Sequence, residues 1–343
     1  MQKAECTMHN SEERSKQPVL ELGTLALRRG QKAAGSLPVA PRGDGSSIAL
    51  PLLAVAGTDD GPTVVVSGGV HGDEYEGPRA IQLLWQQLDP AHLRGTWIGV
   101  PVVNVPAFEA GRRESPIDGL NMNRIFPGRA EGFVSERIAY CFMNEVVARA
   151  DYYLDLHAGG NGFSMTPTVI FLEAGSEALQ VRERALARAA GLGLLWKGTG
   201  GWSSAHVEAV RRGIPAILAE IGEEGRCKTE RLDLAMCVIH NVMIHAGMLL
   251  AKPVLPEQWT VVSGTYIQSA AGGCFYPTAQ AGARVQQGES IGAIFDLWGE
   301  VLQTVVAPCD GIVVSTRTFP SIRPGEWTAF VGRILDIGES REE

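Results

Sequence analysis

Short β-branched and apolar runs alternate in this chain with segments of helical periodicity, and that alternation restricts its possible folds more than any other feature. TVVVSGG at 63–69, WIGVPVVNV at 97–105, DYYLDLH at 151–157, TPTVIFLE at 166–173 and IPAILAEIG at 214–222 read as buried strands. Between and after them, PRAIQLLWQQL from Pro78, SERIAYCFMNEVVARA from Ser135, EALQVRERALARAAGL from Glu177 and KTERLDLAMCVIHNVMIHAGMLLA from Lys228 read as helices. LELGTLAL and SSIALPLLAVAG, nearer the start, read as two more strands split by a Gly/Pro/Arg-rich connection. The alternation predicts an α/β sheet covered on both faces. In such sheets ligands collect at the carboxyl ends of the strands.

After Pro256 the helical periods vanish, and short strands, glycines and turns take over. The expected organisation is a disordered segment over 1–18, an α/β domain over 19–255 and a small all-β C-terminal domain over 256–343. The stretch from Val301 resembles a biotinyl/lipoyl-like β-domain. Such carriers attach their cofactor to a hairpin lysine, and no lysine follows Lys252. The appendage therefore reads as structural, shaping a site entrance or an oligomer contact, so a homo-oligomer is among the expectations.

The formal charge of −8 and the lack of a basic block argue against a nucleic-acid partner. No apolar run reaches the length of a membrane helix, so no membrane partner is expected. The opening MQKAECTMHNSEERSKQ has no apolar h-region, so no signal peptide is expected. Six scattered cysteines without a CxxC pair read as buried thiols in a reducing compartment. A cytoplasmic protein is the expectation.

Three polar features lie where a ligand would collect. GGVHGDEYEG at 68–77 holds His71 and Glu74 three apart, directly after a buried strand. Catalytic zinc takes three protein ligands and keeps one position open, and His157, ending DYYLDLH, is the candidate third. The competing readings are a chance HxxE step and a hydrogen-bonded histidine at a strand end. Asp155 is either a carboxylate that orients His157 or a structural acid. Glu220 ends the run PAILAE and suits a general base for an activated water, or is a surface acid beside Glu223 and Glu224. RRESPIDGLNMNRIFPG at 112–128 concentrates Arg112, Arg113, Asn121, Asn123 and Arg124, suited to a carboxylate or an oxyanion, or to a solvated loop.

GGVHGDEYEGPRAI, PVVNVPAFEAGRRESPIDGLNMNRIFPG, DLHAGG and PAILAEIG, in this order, resemble the succinylglutamate desuccinylase/aspartoacylase family of the zinc carboxypeptidase-like group. The resemblance spans about residues 45–340 and implies a mixed central sheet flanked by helices, with a β-rich C-terminal domain near the active-site mouth. It implies one zinc ion per chain on His71, Glu74 and His157, with Glu220 as general base. Asn123 and Arg124 would grip the substrate carboxylate. Arg113 would polarise the scissile carbonyl, with Arg112 the adjacent alternative. The implied reaction is amide hydrolysis of a small N-acyl amino acid.

Within the family the pattern is similar to a bacterial branch that includes N-alpha-acetyl-L-2,4-diaminobutyrate deacetylases. That substrate is the leading expectation, although no acidic pair for its second amine stands out. Trp202 and His206, in GWSSAH at 201–206, are candidate pocket residues. His9, His92, His240 and His245 read as surface or packing histidines. A carboxypeptidase acting on short peptides and an inactive ligand-binding protein are the rival readings. The same donor set would also accept cobalt, manganese or nickel.

Overall fold

The computed structural model of the protein describes residues 18–336. Residues 1–17, with Cys6 and His9 and nearly all of the segment expected to be disordered, lie outside them. Strands β1 (Leu20–Leu22) and β2 (Leu25–Leu27) pair with each other. β3 (Gln31–Pro41) and β4 (Ser47–Ala56) form an antiparallel edge of a 13-stranded sheet. β5 (Asp59–Ser67) lies parallel to both β6 (Arg94–Val100) and β7 (Tyr152–His157). β8 (Phe163–Met165) is short and peripheral. β9 (Thr168–Leu172), β10 (Leu194–Gly198) and β11 (Ala216–Glu220) continue the sheet beyond β7 in the order β10-β9-β11-β7. β11 runs parallel to β7 and antiparallel to β9, so the sheet is mixed.

Both faces are buried, as the apolar runs predict. Val65 and Tyr153 face one core with Ile138, Phe142 and Met143. Val64, Val66, Leu154 and Leu156, one residue out of step, face another. The period of two therefore sends successive side chains into two different cores. The second core is closed by α1 (Glu76–Gln87) and the later helix α6 (Thr229–His245), through Ile81, Leu84, Val238 and Ile239. Between them in sequence come α2 (Val105–Ala110), α3 (Val134–Cys141), α4 (Glu177–Ala189) and α5 (Ala205–Arg211).

Two expected elements are shorter than their apolar runs. The strand in WIGVPVVNV stops at Val100, because Pro101 has no N–H to donate. Asn104 then caps α2 by accepting the Ala107 N–H at 3.3 Å, with Pro106 in the first turn. The helix from Val134 is regular only to Cys141 and passes into a π turn over Phe142–Val146.

The C-terminal strands are β12 (Thr260–Gln268), β13 (Gly273–Pro277), β14 (Arg284–Val285), β15 (Ser290–Phe295), β16 (Val301–Val306), β17 (Gly311–Arg317), β18 (Ser321–Ile322) and β19 (Trp327–Ile334). β12 pairs in parallel with β10, and β19 and β17 follow outward, so the central sheet runs on into this region. β13, β15, β16 and β18 form a separate antiparallel sheet around Phe275, Ile291 and Ile294. Among the described residues no helix is long and apolar enough to cross a membrane. The five described cysteines are unpaired, but only Cys309 is buried and Cys227 is exposed, which corrects the expectation that all are buried.

Candidate active site

β5 ends at Ser67, and the loop from Gly68 to Tyr75 carries His71 and Glu74 to the start of α1. The loop lies against α2 so closely that a Cβ on Gly72 would sit 2.0 Å from the Ala107 carbonyl. Only glycine allows that approach. β7 brings His157 to the same place. His71 Nδ1 lies 2.7 Å from Glu74 Oε1, and His157 Nδ1 lies 2.9 Å from Glu74 Oε2. All three side chains are buried, at 1%, 2% and 3% exposure. Among the described residues they form the one trio of His, Cys, Asp or Glu donors close enough to share an ion, within 4.8 Å of one another.

The outer partners of the two histidines determine what this trio can hold. His71 Nε2 faces Asn121 Oδ1 at 3.1 Å, and His157 Nε2 faces Asp155 Oδ2 at 3.2 Å. Each Nε2 meets an oxygen acceptor on its outer side; with a proton held there, each Nδ1 would offer a lone pair to a cation placed between it and Glu74. Two lone pairs and a carboxylate then point at one another, an arrangement that fits a shared cation. Asp155 is itself held by Ser67 Oγ, which donates to Oδ1 at 2.8 Å and lies 2.7 Å from the Tyr153 hydroxyl.

Burial disfavours a charged His157, but Asp155 and Glu74 outweigh it and hold its pKa well above the ordinary range. Burial and the Arg113 cation push His71 down to about 4, against the pull of Glu74. Burial would raise Glu74, but the two histidines hold it well below the usual carboxylate range. Asp155 and Glu74 thus favour positive charge at His157, whereas Arg113 opposes it at His71.

Glu220, the last residue of β11, is the register partner of His157. It is partly buried and lines a cavity of about 370 Å³ above the trio. Its Oε2 has no hydrogen-bond partner. Burial and the charge of Glu74 push its carboxyl up to about 8; a cation at the trio would favour the ionised form.

Of the adjacent arginines, Arg113 lines the cavity, with Nη1 at 3.4 Å from Glu74 Oε1, whereas Arg112 is exposed. Asn123 and Arg124 also line it. Asn123 Oδ1 is buried without a partner. The Arg124 guanidinium lies 3.8 Å over the Trp202 ring and donates to the Asn123 carbonyl at 2.7 Å. Burial, then the Arg113 charge, lowers Arg124 to about 10, so it stays protonated at neutral pH.

Trp202 and His206 both line the cavity. Two contributions were not legible in the sequence. One is Asn121 as the partner of His71 Nε2. The other is an aromatic wall from the C-terminal strands, Tyr266 of β12 stacked on Trp327 of β19 at 4.0 Å. The exposed-looking YIQ and EWTAF segments carry no signal of that destination, because the pairing of β12 with β10 creates it. His92 is exposed, and His245 packs edge-on against Tyr152 at 5.7 Å.

Known proteins share this arrangement of chain. A profile described as the succinylglutamate desuccinylase/aspartoacylase catalytic domain matches residues 60–246, more than half of the chain. An N-alpha-acetyl-L-2,4-diaminobutyric acid deacetylase from Halomonas elongata is 30% identical over 299 residues, covering 84% of this chain and 87% of that protein. The product-bound ectoine utilization protein EutE (DoeB) from Ruegeria pomeroyi is 30% identical with a TM-score of 0.83, covering 93% of this chain and 99% of that one. A succinylglutamate desuccinylase/aspartoacylase from Rhodobacter sphaeroides is 28% identical with a TM-score of 0.83, covering 93% of this chain and 100% of that one. By the extent of these matches, the chain belongs to the succinylglutamate desuccinylase/aspartoacylase family.

Proposed function

We propose that this protein is a zinc-dependent deacylase that hydrolyses the amide bond of an N-acylated amino acid or a related small carboxylate. The observation that carries the reading is the convergence of His71 Nδ1, Glu74 and His157 Nδ1 beside Glu220, at the base of a cavity that also holds two arginines. The Halomonas relative supports N-alpha-acetyl-L-2,4-diaminobutyrate as the first substrate to assay. In this reading residues 19–255 form the hydrolase domain, and the β-rich segment from residue 256 supplies one cavity wall.

Bound at the trio, zinc supplies a Lewis acid for the acyl carbonyl and lowers the pKa of an attacking water. Glu220, with Oε2 uncommitted, takes the water's proton and passes it to the leaving amine. Arg113 donates to the carbonyl oxygen as negative charge develops there. Asn123 and Arg124 hold the substrate carboxylate, and the Trp202 ring fixes the plane of the Arg124 guanidinium. Fixing the carboxylate sets which amide reaches Glu220.

The test is amine release from N-acetyl-diaminobutyrate, N-acetylaspartate, N-succinylglutamate, N-acetylornithine and short peptides, with and without a chelator. Chelator-sensitive release from N-acyl amino acids is the expected result. Release from peptides alone would make the protein a carboxypeptidase. Silence across the panel with zinc bound would favour a ligand-binding role.

A further inference from the structure

The cavity continues past Glu220 onto the face of the central sheet. Strand register places Leu218 of β11 beside Ile170 of β9, and Ile170 beside Trp196 of β10. Leu218 precedes Glu220 by two residues, so it shares Glu220's face one pleat step away. Leu172 and Val207 line the same cavity. Trp196 is braced by stacking on Phe330 at 4.0 Å and by edge contact with Tyr266 at 6.0 Å, which makes this wall rigid.

The charged groups lining the cavity are Arg113, Arg124 and Glu220. His206 adds no charge at neutral pH, because burial lowers its pKa to about 4. Glu220 is thus the sole carboxylate facing the cavity among the described residues, and the reaction already occupies it. A substrate ammonium in this cavity would share it with two arginines and find no free counter-charge, and an unpaired charge against apolar walls is costly.

We infer that the preferred substrate carries an uncharged apolar group, branched or aromatic, which lies on the Leu218–Ile170–Trp196 row while its carboxylate is held at Arg124. The inference rests on the deacylase reading above and moves the preferred substrate away from one with a second amine. The group belongs either to the acyl chain or to the amino-acid side chain, and both present the same chemistry to the row.

The test is kcat/KM of the zinc-loaded full chain on six compounds. These are N-acetylglycine, N-acetyl-L-leucine, N-acetyl-L-phenylalanine, N-isovalerylglycine, N-benzoylglycine and N-alpha-acetyl-L-2,4-diaminobutyrate. At least one apolar compound is expected to exceed N-acetylglycine and the diaminobutyrate compound by roughly tenfold or more, the low end for one buried methylene. Preference for the N-acetyl pair assigns the row to the side chain. Preference for the isovaleryl or benzoyl compound assigns it to the acyl group. Leu218→Asp is expected to reduce that preference at least tenfold, and Trp196→Ala serves if the first variant does not fold. Equal or better turnover of N-acetylglycine or the diaminobutyrate compound would overturn the inference and leave the deacylase reading standing. Silence on all six with turnover of N-acetylaspartate, N-succinylglutamate or N-acetylornithine would overturn the inference alone, and silence on these as well, with zinc bound, would overturn both.

Discussion

His157 and Glu220 are register partners on the neighbouring parallel strands β7 and β11, each the last residue of its strand. A backbone ladder, not a flexible loop, therefore sets the spacing between a candidate metal ligand and the candidate base. Strand pairing fixes such a distance more firmly than a loop can.

Glu220→Gln keeps the shape of the side chain but removes the proton acceptor. We expect kcat to fall by about 10²–10⁴-fold, the usual contribution of general acid–base catalysis. Metal content measured by atomic absorption should match the wild type. Near wild-type turnover with metal bound would sink the mechanism.

Asp155→Asn weakens the acceptor behind His157 Nε2. The zinc affinity is expected to drop by roughly 10–100-fold, as when other such outer partners are replaced. Competition with a chromophoric chelator measures this without reference to activity. An unchanged affinity would mean that Asp155 serves only the Ser67–Tyr153 hydrogen bonds.

Trp202→Ala removes the ring beneath Arg124. The lost cation–π contact corresponds to about 0.5–1 kcal/mol at a partly exposed site, or roughly a two- to fivefold rise in KM. A fall in kcat at constant KM would contradict a role in carboxylate binding.

Gly72→Ala places a methyl group against the Ala107 backbone. The loop must move, and His71 moves with it. We expect weaker zinc binding and a lower melting temperature. A variant that melts and binds zinc like the wild type would show that the loop has room to give.

Glu183 of α4 is fully buried, and neither of its oxygens has a partner in good hydrogen-bond geometry. Burial raises its pKa from 4.5 to about 8, against the pull of backbone amides at Leu172 and Ala174. The unfolded chain ionises first as pH rises. The stability tied to the neutral carboxyl is therefore fully present below about pH 4.5 and is lost as pH climbs towards 8. Glu183→Gln removes this dependence, so its melting temperature should gain on the wild type between about pH 5 and pH 8.5. A constant gap across that range would exclude the explanation.

Much of this protein was determined by local sequence. The apolar runs at 63–67, 152–157 and 216–220 could satisfy their side chains only in a sheet buried on both faces, which fixed the fold class. The ends of those runs marked His71, Glu74, His157 and Glu220, because a polar residue that closes a buried strand emerges where ligands bind. Pro101, Pro106 and Asn104 were legible as well, yet the apolar pattern of WIGVPVVNV outweighed them in the reading. The missing proline N–H ended the strand all the same.

Tertiary structure alone decided the rest. Which nitrogen of His71 faces the candidate metal position depends on Asn121, 50 residues away in sequence. The choice between Arg112 and Arg113 depends on the turn of one loop, which leaves one guanidinium in the cavity and the other in solvent. The cavity wall depends on β12 docking beside β10, which carries Tyr266 and, through β19, Trp327 to a site whose candidate ligands lie more than 100 residues earlier in the chain. These relationships are set by strand pairing and packing between distant segments, and no local pattern of residues encodes them.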